Sequence, residues 1–417
     1  MFKKKSLLIV LALIMSLSIL VIGCGEEEEE DKLVIDSYTS DPAPREAMEK
    51  MVEMYEEENP DVDVELNITA HEDFKEAIRT WLASDTPPDV FTWFAGERAE
   101  YFVENDLIRD ISHIWEEEGL DEVVPEGYQR ESFFDGDAYF MPHQSYIWGV
   151  YYNEEIFADL GLEEPTTWDE FIEVNETLKA NDIAPITIGT RFQWTAAGWF
   201  DHLNIRINGF DFHQEVTTGE VDFTDERIVA VFEKWKDLIE ADYFIDSPAS
   251  YTWQEAMEFL EAEEAAMYLM GSFIHDSATD ELSEKLNFFK FPEIDKSPTA
   301  VEAPIDGYMI PVNARHQENA EDFVRFAASV EGQQHWVEDV GRVAPNRDVP
   351  EESYDEETKR EMEMINEAEG IAQFLDRDMN EDFANRMMDY LIEFWENPDD
   401  YMDILERLED QRQDFYE

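Results

Sequence analysis

Cysteine is nearly absent, with a single one at position 24 of 417 residues. No internal disulfide can form, so stability has to come from packing. Histidine is sparse at eight residues, which leaves few of the usual general bases. The P-loop, G-x-G-x-x-G, H-E-x-x-H and G-x-S-x-G signatures are all missing. Basic residues are scarce as well: 30 Lys and Arg stand against 102 Asp and Glu, a net charge of −72. A surface of that sign cannot neutralise phosphates, which excludes nucleic acid as a partner. No fixed-period repeat occurs, which excludes solenoids and propellers.

Aromatic residues are plentiful, and 28 Phe, 16 Tyr and 11 Trp are incompatible with a disordered acidic chain. Self-repulsion among the acids requires screening, and at molar salt the Debye length falls to about 3 Å. A cell living in concentrated salt is therefore expected, with alkaline surroundings as the other setting for such a surface. The length suits two domains with separate cores.

Lys3, Lys4 and Lys5 precede a run without charge from Ser6 to Gly23, the n-region and h-region of an export signal. Leu20-Val21-Ile22-Gly23 before Cys24 resembles the lipobox of bacterial lipoproteins. That resemblance implies a leader over 1–23, lipidation of Cys24 and an anchored mature protein on the extracytoplasmic face of the cell membrane; an uncleaved anchor is the alternative. Residues 24–31, with glutamates 26–30 and Asp31, read as a solvated tether.

Beyond the tether, short apolar strands alternate with amphipathic helices. Leu33-Val34-Ile35 is strand-like, Met48, Met51, Val52 and Tyr55 form one helical face, and Val62, Val64 and Leu66 alternate with acids. A helix is expected around 73–83, a strand over Val90–Trp93, and a helix opened by the Thr167-Trp168-Asp169-Glu170 capping box. Strands are expected near 185–188, 265–270 and 303–311, a helix at 318–329, and mostly helix after Glu351. The pattern predicts an α/β fold with largely parallel sheets. Asp376, Asp378 and Asn380 have calcium-loop spacing, but Glu381 stands where the loop needs Gly and Met387 where it needs a bidentate Glu, so no metal site is expected. Carboxylate pairs say nothing about glycoside hydrolysis where acids are this common.

The ordered segments "PDVFTWFAGERAEYFVENDLIRDIS", "GDAYFMPHQSYIWGVYYNEEIFADLGLEEPTTWDEF", "AAMYLMGSF" and "APIDGYMIPVNARHQENAEDFVRFAAS" resemble the family 1 extracellular solute-binding proteins, the sugar-capturing lipoproteins of ABC importers. The resemblance runs through nearly all of 32–417. It implies two α/β lobes joined by hinge crossings, 32–145 with 293–342 and 146–292 with 343–417, and a sugar held between them. It further implies a monomer without cofactor, metal or catalysis that serves the transmembrane subunits of a permease.

In open α/β sheets ligands sit beyond the carboxyl ends of strands. Residues there include Tyr38, Thr39, Ser40 and Asp41, then Trp93, Phe94 and Glu97, then Arg191, Phe192, Trp194 and Trp199, then Ser272 and Phe273. The resemblance places Tyr146 at a ligand-facing hinge position in the crossing Gln144–Trp148 and matches Phe273 to a sugar-stacking ring. Asp306 and Arg342 lie near later crossings. Of these, Tyr38, Ser40, Asp41, Trp93, Glu97, Tyr146, Trp194, Trp199, Ser272, Phe273, Asp306 and Arg342 form the expected site. Aromatic platforms with hydroxyl-binding polar groups suit a mono- or oligosaccharide. An aromatic cage for a betaine-type compatible solute and a surface glycosidase remain open as alternatives. Trp81, Trp115, Trp168 and Trp235 read as packing, and His143 as a hydrogen-bonded hinge neighbour.

Overall fold

The computed structural model describes residues 32–294 and 300–416; the leader, Cys24 and the tether lie outside them. Two hydrophobic cores divide the chain. One gathers residues between Leu33 and Met141 with residues between Ile305 and Val340. The other gathers residues between Tyr146 and Ile294 with residues from Val301 and Ala303 and from Met364 onward.

The first lobe is built on a five-stranded sheet. Lys32–Ser37 pairs in parallel with Asp63–Ile68 and with Val90–Phe94, while Ile305–Met309 runs antiparallel to both Val90–Phe94 and Met141–Ser145. In the four-stranded sheet of the second lobe, Trp148–Asn153 is antiparallel to Ala265–Gly271 and Leu286–Phe289, and Ala184–Ile186 pairs in parallel with Ala265–Gly271. The sheets are therefore mixed rather than largely parallel. The cause is the lobe exchange: a strand that arrives from the other lobe enters its new sheet from the opposite end.

Local signals carry most of the elements. The helix Pro42–Glu58 buries Met48, Met51, Val52 and Tyr55 on one face. Thr167 and Glu170 exchange side chain to backbone hydrogen bonds as a capping box ahead of the helix Trp168–Ala180. A second box, Thr252 with Glu255, opens the helix Trp253–Glu261. Helices Gln317–Ala328, Glu356–Glu367, Glu381–Glu396 and Tyr401–Tyr416 complete the later part.

The hinge is made where crossings run together. Ser145 and Val343 exchange both backbone hydrogen bonds at 2.9 Å. The return to the first lobe occurs at Ala303–Ile305 instead of near residue 293, because Val301–Glu302 pairs with Ile371–Ala372 of the second lobe. At this crossing Gly307 lets strands approach closely, since a Cβ there would stand 2.1 Å from the Met141 carbonyl oxygen. His143 is buried beside it. Its Nδ1 lies 3.1 Å from the Ala327 carbonyl, and burial pushes its pKa down to about 4, so it is a neutral hinge neighbour.

Candidate functional site

The cavity between the lobes encloses about 340 Å³ and is lined from both sides. Its floor follows from strand register. Asp306 is paired with Phe94 on one neighbouring strand and with Gln144 on the other, so the three side chains share one level of the first sheet. All three line the cavity.

The first lobe adds the segment after its first strand. Ser37 and Thr39 hydroxyls meet at 2.8 Å and the Tyr38 amide donates to Thr92 Oγ1 at 3.1 Å, which holds the loop still. The Tyr38 ring packs edge-on against His71 and Phe74. Its hydroxyl lies beside Asp306, and burial together with Asp306 pushes its pKa well up. Asp41 precedes the helix Pro42–Glu58 but does not cap it. Its Oδ1 instead accepts from Ser277 Oγ of the second lobe at 2.7 Å.

The second lobe contributes the starts of its helices. Trp194 opens Trp194–Asn208, Trp253 opens Trp253–Glu261, and Phe273 follows the strand Ala265–Gly271. Phe273 meets Trp253 at 5.4 Å, Trp194 at 6.1 Å and Tyr146 at 5.3 Å between ring centroids, all edge-to-face. The result is one aromatic wall, and the Trp194 Nε1 in it lacks a protein acceptor.

The charges of the cavity are matched across the lobes. Arg377, from the turn Leu375–Asp378, donates Nη1 to Asp306 Oδ1 at 2.9 Å and Nη2 to the Tyr146 hydroxyl at 3.1 Å. Arg342 pairs with Asp276 and lies over the Tyr146 ring at 5.6 Å. Burial pushes Asp276 up to about 6, with Arg342 opposing the rise. Asp376 is also buried, but Lys75, Arg98 and Arg377 outweigh that and hold its carboxyl below the usual range.

Tyr38, Ser40, Asp41, Tyr146, Trp194, Phe273, Asp306 and Arg342 thus line one cavity. Four expected residues do not. Trp93 is 2 % exposed, stacked on Phe94 at 4.2 Å and packed against Phe102, so it supports the floor from within the core. Trp199 is buried against Phe244 and Phe291. Glu97 opens the helix Glu97–Glu104 outside the cavity, where burial and Glu100 push it up to about 7. Ser272 turns toward the hinge, its Oγ 3.4 Å from Glu361 Oε2.

Phe94 takes the place expected of Trp93, and Trp253, Asp276, Phe374, Asp376 and Arg377 also line the cavity. The Thr252 capping box was the available signal for Trp253. Arg377 could be suspected only as a rare cation in an acidic segment. The calcium-like spacing has a different explanation: Asp376 faces Lys75 and Arg98, while Asn380 caps the helix Glu381–Glu396. Among the described residues no group of three or more His, Cys, Asp or Glu could hold a metal ion.

Similarity to known proteins agrees with this architecture. Residues 39–334 match the family described as bacterial extracellular solute-binding protein. An uncharacterised ABC transporter extracellular-binding protein of Pyrococcus horikoshii is 25% identical over 378 residues, covering 84% of this chain and 82% of that one. The multiple sugar-binding protein of Streptococcus mutans is 25% identical over 203 residues, 46% of each chain. Among solved structures, the bacterial solute receptor AcbH, described as having an exclusive preference for β-D-galactopyranose, superposes with a TM-score of 0.88 at 27% identity, over 93% of this chain and 99% of that one. With this match over most of its length and two α/β lobes around a lined cleft, the chain belongs to the bacterial extracellular solute-binding proteins.

Proposed function

We propose that the protein captures a short neutral saccharide in the interlobe cavity and delivers it to the transmembrane subunits of an ABC importer. The observation that carries this reading is the pairing of the Trp194–Trp253–Phe273 wall with charges already matched at Asp306–Arg377 and Asp276–Arg342. Pyranose C–H faces suit the wall, and hydroxyls can join the charge network without adding net charge. The Trp194 Nε1 offers an unused polar atom for such a ligand. A volume of about 340 Å³ lies at the small end of ligand sites, in favour of one or two sugar rings over a long oligosaccharide. The galactose preference of AcbH and the sugar-binding name of the streptococcal relative support the same class.

A betaine needs a cation for its carboxylate, and Lys75, Arg342 and Arg377 already face Asp376, Asp276 and Asp306. Calorimetry with small-angle scattering on D-galactose, melibiose, raffinose, maltose and glycine betaine tests the reading. A neutral sugar should bind and compact the protein, with betaine silent. Compaction by betaine alone would overturn it, and sustained release of reducing ends would convert it to a glycosidase. The reading extends to a monomer tethered through lipid on Cys24, in a cell for which the acidic surface is an adaptation to salt. One acyl chain anchors only marginally, so more than one chain is needed to hold the protein at the membrane. Cys24→Ser should block incorporation of labelled lipid.

A further inference from the structure

Three of the scarce basic residues face the second lobe from helices of the first. Lys75 Nζ lies 3.4 Å from Asp376 Oδ2. Arg98 Nη2 lies 3.7 Å from the same oxygen, and its Nη1 lies 4.0 Å from Glu381 Oε1. Arg79 pairs with Glu381 beside it. Asp376 lines the cavity, whereas Arg98 and Arg79 do not.

Arg98 is poorly served where it stands. It is 4 % exposed, its Nε has no hydrogen-bond partner, and both carboxylate contacts exceed hydrogen-bond length. A buried guanidinium with unmet donors is costly, and a slight further approach of the second lobe would turn its long contacts into charge-assisted hydrogen bonds. The backbone next to it permits the close contact between the lobes that is already present. Gly96, at φ +105°, lies so close to the second lobe that a Cβ would stand 2.7 Å from the Arg377 carbonyl oxygen and 2.9 Å from Asp378 Oδ1.

We infer that Arg98, assisted by Arg79 and Lys75, is a positioning residue for ligand capture: it clasps Asp376 and Glu381 and so draws Asp376 and Arg377 onto a ligand as the cleft closes. In a chain of net charge −72, two acidic lobes repel, and cations placed at their boundary offset that repulsion at short range. The inference rests on the cavity being the ligand site, but the clasp itself can be read without any ligand.

The experiment compares Arg98→Gln, Arg79→Gln and the conservative Arg98→Lys with wild type by small-angle scattering of the unliganded mature protein, alongside thermal melting. Both Gln variants should show a larger radius of gyration at an unchanged melting temperature, and Arg98→Lys should stay close to wild type. With D-galactose as probe, or the sugar that binds in its place, the Gln variants should bind about 5- to 150-fold more weakly, the usual range for coupling between two sites. Scattering curves of both Gln variants superimposable on wild type would overturn the clasp. If Arg98→Gln fails to fold, Arg79→Gln decides, since that side chain is 37% exposed. If no sugar binds, the scattering result still judges the clasp and only the sugar reading falls.

Discussion

Arg377 of the second lobe and Asp306 of the first form a buried ion pair across the cleft, Nη1 to Oδ1 at 2.9 Å, with the Phe94 and Phe374 ring centroids 4.5 and 4.9 Å from the guanidinium. Removing one member of a fully buried pair typically costs about 3–5 kcal/mol, because the other charge is stranded. Here each lobe has its own core, so the stranded group can regain water when the cleft opens. Arg377→Met is therefore expected to lower ligand affinity and expand the protein in scattering while leaving the melting temperature nearly unchanged. A large drop in melting temperature with normal affinity would contradict this.

The tryptophans divide into two groups. Trp194→Ala and Trp253→Ala should each weaken sugar binding by about 1 to 3 kcal/mol, the scale of lost apolar area plus stacking. Trp93→Ala and Trp199→Ala should instead cost about 3–5 kcal/mol of stability through cavities in the core. Chemical denaturation and calorimetry on the four variants give both quantities.

Glu361 sets a pH dependence at the hinge. Its carboxyl accepts from the Ile147 amide at 3.2 Å, and burial, reinforced by Glu357, pushes it up to about 8. The folded protein holds this proton more tightly than the unfolded chain does. The stabilisation is complete below the ordinary glutamate pKa and declines as pH rises toward 8. Glu361→Gln should flatten that part of a stability–pH profile, and a profile identical to wild type would show that Glu361 is not its source.

Salt should stabilise the protein. Screening at molar ionic strength relieves the repulsion of a −72 chain more in the compact than in the expanded state. The melting temperature should rise between about 0.1 M and 1 M salt, where the Debye length contracts from roughly 10 to 3 Å. A flat salt profile would remove the basis for a saline habitat.

Much of the fold was legible because it rests on local chemistry. The Met48–Tyr55 face, the capping box at Thr167 and the strand ends before Tyr38 and Phe273 are short-range patterns that survive in the structure. Charge composition argues against nucleic acid, and cysteine content rules out an internal disulfide. Tertiary structure had to decide which aromatic rings face the cleft. All five residues of Val90–Phe94 are buried, so no wet face marks the difference between Trp93 and Phe94. Most residues of Trp194–Asn208 are likewise buried, which conceals that Trp194 meets the cavity while Trp199 meets the core. Asp376 depends on contacts between the last third of the chain and two helices near its start, and Arg377 on contacts with Asp306 and Tyr146, relationships with no sequence period. Periodicity reports how each element sits on its own core; the cleft lies between two cores, and only the packing of one lobe against the other determines which side chains meet there.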